Sequence, residues 1–104
     1  MNTRQIYQKL HDLLKSDRPA AVATVVRVRG SVPREVGAKM IVQADGQLFG
    51  TIGGGCGEAD VIKTALDVLE TGQPEMVRVD LTGDISIHSS GVCGGIMDVF
   101  VERW

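Results

Sequence analysis

Glycine is concentrated in two short stretches of this sequence, and these stretches fix the points where regular structure has to stop. The chain has 13 glycines among 104 residues, and they cluster at residues 50–57 and 91–95. Ordering glycine costs more backbone entropy than ordering any other residue, so helix and strand interiors avoid it. The helices and strands must therefore lie before, between and after the two stretches.

The first 29 residues of the chain predict a helix followed by a strand. A helical stripe of apolar residues spans residues 3–16, with Asn2 or Thr3 as its N-cap. The stripe consists of Ile6, Leu10, Leu13 and Leu14. Residues 20–29 are rich in valine and predict a long strand.

The rest of the chain predicts four more strands and a second helix. Asp45-Gly46 is typical of a hairpin turn between strands at residues 39–43 and 47–51. An apolar helical stripe runs from Glu58 to the stop signal at Thr71-Gly72. It consists of Val61, Ile62, Ala65, Leu66, Val68 and Leu69. The last two strands are predicted at residues 76–81 and 96–101. The order α-β-β-β-α-β-β predicts a single α+β domain over residues 1–104, with a mixed or antiparallel sheet of about five strands packed with two helices.

Charge and composition exclude several classes of function. The formal net charge is −2 and aromatic residues are 4% of the chain. Neither favours binding to nucleic acid or to a membrane surface. The N-terminus lacks the apolar core of a signal peptide, and no apolar run is long enough to cross a bilayer. We therefore expect a cytoplasmic protein whose two cysteines are thiols.

The first glycine stretch is a candidate anion site. It follows a predicted strand and opens a predicted helix, whose first free N–H groups attract phosphate. Gly53, Gly54 and Gly55 allow a ligand to approach the backbone closely. Cys56 lies at the helix N-terminus, a position that favours the thiolate. A tight turn without a ligand, with Cys56 as a small buried residue, is the alternative.

Two other loops add candidate residues. Cys93-Gly94-Gly95 is a second cysteine on glycines, and it precedes the last predicted strand. Arg34 and Lys39 lie around Gly37 and offer positive charge to a phosphate or another oxyanion. Glu58 begins the second helix, where a carboxylate stabilises the first turn through the helix dipole. Solvated loop charges, and a plain turn at Cys93, are the alternatives.

Four motifs in this order resemble the N-terminal domain of the XdhC/CoxI family, the accessory proteins of xanthine dehydrogenase and related molybdenum hydroxylases. The motifs are Gly30-Ser-Val-Pro-Arg34, Gly37-Ala-Lys-Met40, Gly50-Thr-Ile-Gly-Gly-Gly-Cys56 with Glu58, and Cys93-Gly-Gly95. The resemblance covers nearly the whole chain. Gly57 departs from it, because a larger residue is expected in the family's Gly-Cys-x-Glu pattern.

The resemblance implies an accessory protein rather than an enzyme. Such proteins bind the molybdenum cofactor (molybdopterin), support its sulfuration by a cysteine desulfurase and deliver it to an apo-hydroxylase. The implied cofactor-binding residues are Arg34, Lys39, Gly53, Gly54, Gly55, Cys56, Glu58, Cys93 and Gly94, with Cys56 facing the metal. Many family members continue into a C-terminal Rossmann-like domain, which this sequence does not contain.

Two other functions fit the same residues. The first is an interaction module for a separate Rossmann-domain subunit. The second is a cysteine-dependent sulfur carrier or sulfur transferase with a persulfide on Cys56. We also expect self-association into a homo-oligomer.

Overall fold

Five antiparallel strands form one sheet in the computed structural model, which describes residues 2–32, 34–52, 57–81 and 94–104. The elements are α1 Thr3–Lys15, β1 Ala20–Arg29, β2 Lys39–Gln43, β3 Leu48–Gly50, α2 Glu58–Thr71, β4 Glu75–Asp80 and β5 Ile96–Arg103. The predicted α+β class and element order are confirmed, and the sheet is antiparallel rather than mixed. No helix in the described ranges is long and apolar enough to span a membrane.

The sheet has the strand order β3-β2-β1-β5-β4. β1 lies in the centre and pairs with both β2 and β5. Its alanine and valine side chains are small or β-branched, which suits a strand that is covered on both faces. β3 and β4 are the two edge strands.

The two helices cover opposite faces of the sheet. Alternate residues of a strand point to opposite faces, and β1 divides its side chains between two hydrophobic clusters. Ala21, Ala23 and Val25 pack with α2 residues such as Ala65. Ala20 and Val22 pack with α1 residues such as Leu10. We call these faces the α2 face and the α1 face.

α1 begins with a reciprocal cap. The Asn2 side chain accepts a hydrogen bond from the Gln5 backbone N–H at 2.9 Å, and the Gln5 side chain accepts one from the Asn2 N–H at 2.8 Å. Three residues of the predicted stripe are buried, whereas Leu14 is 54% exposed. Placing Leu14 on the packed side was wrong, because it lies at the edge of the buried side, about 40° beyond Leu10 and about 100° from Leu13 around the helix.

α2 lies between two glycines in the left-handed conformation. Gly57 and Gly72 both have φ near +74°, and the Gly72 N–H donates to the Val68 carbonyl at 2.8 Å. Val61, Ala65 and Val68 are buried against the sheet. Leu66, which was predicted in the same stripe, is 41% exposed.

A bulge in β1 changes the faces to which its last residues point. The pairing with β5 shifts between Val25 and Arg27, which leaves Val26 as the extra residue. Beyond the bulge, Arg27 pairs with Asp98 and Val28 packs into the core on the α2 face. Without the extra residue, the alternation would direct Arg27 into that core.

Within the described ranges, α1 packs on the β2 side of its face. Its apolar residues contact β1, β2 and Phe49 of β3. The part of the α1 face formed by β5 and β4 carries charged and apolar side chains, including Arg78, Asp98 and Met76, the last of which is 59% exposed.

Candidate functional site

One end of the sheet gathers the connections that carry the sequence motifs. Because neighbouring strands are antiparallel, the last residues of β1, β3 and β4 lie beside the first residues of β2 and β5. The connections after β1, after β3 and before β5 therefore meet the sheet at the same end, which we call the motif end. The opposite end carries the 43–47 turn and the connections around residues 16–19 and 72–74.

Two of the predicted loops touch each other at the motif end. The Gly94 N–H donates to the Ser31 carbonyl at 3.0 Å, and the Leu81 N–H donates to the Gly95 carbonyl at 2.9 Å. A Cβ on Gly95 would lie 2.2 Å from the Arg29 carbonyl oxygen, so only glycine fits there without movement. The structure therefore brings Gly94 next to the loop that leads to Arg34.

Arg34 and Lys39 lie on one side of the motif end, beside the start of α1. Both line a narrow pocket of about 30 Å³ with Asn2, Thr3 and Ile6. The Lys39 ammonium donates a hydrogen bond to the Thr24 hydroxyl at 2.9 Å, which holds it on the α1 face. The two cations predicted from the sequence as anion partners are thus neighbours across this pocket.

A larger cleft adjoins this pocket. Its volume is about 630 Å³, within the range of roughly 300–1,000 Å³ typical of small-molecule sites. Its lining residues are Thr3, Tyr7, Arg34, Glu35, Val36, Gly37 and Ala38. Arg34 is among the residues that line both the cleft and the narrow pocket, so it lies beside each of them.

The glycine stretch is described at its two ends. At the first end, Gly50 has φ +76°, and a Cβ there would lie 2.6 Å from both the Ile6 side chain and the Lys39 carbonyl oxygen. The stretch therefore leaves β3 directly beside the narrow pocket. Gly53, Gly54, Gly55 and Cys56 lie outside the described residues, and their roles remain predictions.

Glu58 ties the two ends of the stretch together. Its carboxylate accepts a hydrogen bond from the Thr51 hydroxyl. Glu58 also lies in the first turn of α2, where its negative charge interacts favourably with the positive end of the helix dipole. This hydrogen bond joins Thr51, before the three consecutive glycines, to Glu58, after them. The sequence analysis had not predicted Thr51 as the partner of Glu58.

A charged group of residues lies on the uncovered part of the α1 face. Arg78 donates to both carboxylate oxygens of Asp98, at 3.0 and 3.4 Å, and the Arg27 Nε lies 3.9 Å from the same carboxylate. The hydrogen bond from Arg78 lowers the pKa of Asp98 below its ordinary value, against the opposing effect of desolvation. The same bond raises the pKa of Arg78.

Comparison with known proteins identifies the family. The XdhC and CoxI family model matches residues 13–80, which is more than half of the chain. The chain belongs to the XdhC and CoxI family. A relative named molybdenum cofactor insertion chaperone PaoD, from Escherichia coli strain K12, is 35% identical over 75 residues, covering 72% of this chain and 24% of PaoD.

Other XdhC and CoxI relatives match over a larger share of the chain. A protein of Bacillus subtilis strain 168, described as a probable xanthine dehydrogenase subunit, is 32% identical over 90% of this chain and 29% of its own length. A crystal structure described as a xanthine dehydrogenase from Bacillus halodurans superposes with a TM-score of 0.77 at 35% identity, over 92% of this chain and 29% of that one. Uncharacterized protein YqeB of E. coli strain K12 is 39% identical over 93% of this chain and 18% of its own. The chain thus spans less than a third of each of these relatives.

The remaining predicted ligands of this XdhC and CoxI chain fall on undescribed positions. Both cysteines, Cys93 and the predicted metal ligand Cys56, lie outside the described residues. In the ranges that are described, no group of three or more His, Cys, Asp or Glu residues is placed to hold a metal ion.

Sequence reasoning missed two residues of α1 that line the cleft. Thr3 was considered only as a helix cap, and Tyr7 lies in α1 outside its apolar stripe. Tyr7 is the sole tyrosine among only four aromatic residues in the chain. An aromatic residue in so aromatic-poor a chain, placed off the packed side of α1, was the signal that could have indicated a binding role for Tyr7.

Proposed function

We propose that this chain binds the molybdenum cofactor at the motif end, as an accessory domain that holds it for a xanthine dehydrogenase-type hydroxylase. The observation that carries the proposal is the arrangement of Arg34 and Lys39 around adjoining pockets, beside the point where the glycine stretch leaves β3. The names of PaoD and of the B. subtilis relative support the same role.

The chemistry of these residues suits the cargo. The molybdenum cofactor carries a phosphate on a pterin, and a guanidinium binds phosphate through paired, charge-assisted hydrogen bonds. Lys39 adds a second positive charge, which the Thr24 hydroxyl holds in place. Gly53, Gly54 and Gly55 would approach the ligand through the backbone, and a soft thiolate at Cys56 would face molybdenum or its exchangeable sulfur.

The cycle ends in transfer rather than in turnover. A cysteine desulfurase supplies the sulfur that replaces an oxo ligand of the bound cofactor, and the apo-hydroxylase then receives the cofactor. We assign Cys93 and Gly94 to the same site, and the hydrogen bond from the Gly94 N–H to the Ser31 carbonyl, in the loop that leads to Arg34, supports this assignment. A cytoplasmic location agrees with this sequence of partners.

An anaerobic titration of the reduced protein with molybdenum cofactor tests the proposal. Bound metal and pterin are measured after gel filtration for the wild type, Arg34→Ala, Cys56→Ala and the control Arg18→Ala. Arg18 is an exposed arginine at the opposite end of the molecule. We expect stoichiometric binding that weakens about tenfold or more in Arg34→Ala and is unchanged in Arg18→Ala, because a hydrogen bond to a charged group contributes about 1.5–3 kcal/mol.

Two results would contradict the proposal. One is the absence of saturable binding by the wild type, which would favour an interaction module for a separate Rossmann-domain subunit. The partly uncovered α1 face, where Met76 is 59% exposed, is the observation in favour of that second candidate. The other is an equal effect of Arg34→Ala and Arg18→Ala, which would remove the site from the motif end.

A further inference from the structure

Tyr7 presents an aromatic ring at the cleft without an evident structural reason. It lies in the second turn of α1, is 51% exposed and lines the cleft together with Arg34. The buried residues of the same helix are Ile6, Leu10 and Leu13, so packing of α1 on the sheet does not require an aromatic residue at position 7.

The nearby cation does not account for the ring either. The Lys39 ammonium lies 6.0 Å from the centre of the Tyr7 ring, at the outer limit of about 6 Å for a cation–π contact. Lys39 is already held by the Thr24 hydroxyl. The other cation–π pair on this side is closer, with the Lys9 ammonium 4.1 Å from the centre of the partly buried Phe49 ring.

The cleft therefore combines an exposed aromatic ring with Arg34 and Glu35, and Lys39 lies in the adjoining pocket, so two cations stand against one carboxylate around the site. A planar heteroaromatic ring gains from stacking on an aromatic side chain, and its anionic group gains from the cations. A volume of about 630 Å³ accommodates a bicyclic or tricyclic ring together with one phosphate.

We propose that Tyr7 is the stacking platform for the pterin ring of the bound cofactor, with the phosphate directed toward Arg34 and Lys39. The ligand class is a planar pterin carrying a phosphate, with or without its metal. This proposal rests on the proposed function and adds the orientation of the ligand, with the ring in the wide cleft and the anion at the narrow pocket.

The test compares Tyr7→Leu and Tyr7→Phe with the wild type and with Leu14→Ala, which changes an equally exposed residue of the same helix. The probes are the molybdenum cofactor and a metal-free pterin phosphate, titrated under anaerobic conditions while pterin fluorescence is followed. Because a planar ring loses its stacking partner when the aromatic side chain is removed, Tyr7→Leu should weaken the binding of both probes about tenfold, and binding by Tyr7→Phe should stay within about twofold of the wild type. Leu14→Ala should bind as the wild type does.

The outcomes separate this proposal from the one on which it rests. Tight binding by the wild type and equally tight binding by Tyr7→Leu would overturn the stacking role and leave the proposed function standing. No binding of either probe by the wild type would overturn both. Equal losses in Tyr7→Leu and Tyr7→Phe would also overturn stacking, because phenylalanine keeps the ring. A thermal melt of each variant checks that the exposed substitutions leave the fold unchanged.

Discussion

Gly57 combines a left-handed backbone with direct contact to the sheet. Its φ is +74°, and a Cβ at this position would lie 2.2 Å from the Val79 Cγ1 atom. The family pattern had predicted a larger residue immediately after Cys56. The structure gives a physical reason for glycine here, since both the dihedral angle and the space beside β4 require it.

Gly57→Ala should destabilise the fold by more than Gly46→Ala. Gly46 in the 43–47 turn also has a positive φ, +90°, but nothing lies within 4 Å of a Cβ added there. We expect Gly46→Ala to lower the free energy of unfolding by about 1 kcal/mol, from backbone strain alone. Gly57→Ala should lower it by about 2–5 kcal/mol, from strain plus overlap with Val79. Urea unfolding followed by circular dichroism measures both, and equal losses would contradict the contact.

Among the elements, boundaries were predictable and relationships between strands were not. The Asp45-Gly46 turn, the valine-rich run of β1 and the Gly72 stop of α2 are local signals, and the observed elements begin and end within two residues of the predicted ones. The strand order depends on pairings between distant residues, such as Ala23 with Val101, which periodicity does not specify. The bulge at Val26 became recognisable only from the pairing of β1 with β5.

The carboxylate of Asp98 links β5 to β1 and β4 and should make stability depend on pH. Its pKa is lowered in the folded state, so folding gains stability at pH values above the unfolded pKa and loses it as the pH falls through the folded pKa. The free energy of unfolding, measured with denaturant, should therefore decrease from neutral to acid pH in the wild type, and this decrease should be smaller in Asp98→Asn.

Two arginine variants serve as a matched pair for this effect. Arg78→Gln should remove most of the same pH dependence, because the hydrogen bond from Arg78 is the largest cause of the shift. Arg29→Gln should change the pH dependence little, because Arg29 acts on Asp98 only through its charge, which is the smallest of the causes of the shift. Indistinguishable pH profiles for the two arginine variants would argue against this assignment.

At the scale of the whole molecule, two hydrophobic clusters share the same central strand. The cluster on the α2 face is the larger, and the smaller one depends on α1 residues such as Leu10, which is 2% exposed. Since β1 contributes alternate residues to both clusters, neither helix layer has a separate sheet on which to remain folded. The molecule should therefore unfold as one unit.

Leu10→Ala should lower the free energy of unfolding by about 2–5 kcal/mol through loss of buried surface and the cavity left behind. Its denaturation curve should keep a single transition with coincident fluorescence and circular dichroism. Leu14→Ala, at a residue that is 54% exposed, is the control and should change stability by less than about 0.5 kcal/mol. A biphasic curve for Leu10→Ala would show that α1 detaches on its own.

The candidate site shows the same division between local and distant information. Arg34, Lys39 and Glu58 were predicted from motifs that are local in sequence, and the described structure places Arg34 and Lys39 beside one pocket. Tyr7 and Thr51 were not predicted. Tyr7 meets Arg34 only through the fold, and the hydrogen bond from the Thr51 hydroxyl to Glu58 joins residues on either side of the glycine stretch.

The 43–47 turn has a practical use for measurements on this protein. It lies at the end of the sheet opposite the candidate site, and β2, with five residues, separates the two by about 15 Å along the strand. An affinity tag inserted beside exposed Asp45, which leaves the thiols of Cys56 and Cys93 out of the coupling, would attach the molecule to a sensor surface by its far edge. Every immobilised copy would then present the cleft to the solution in the same orientation.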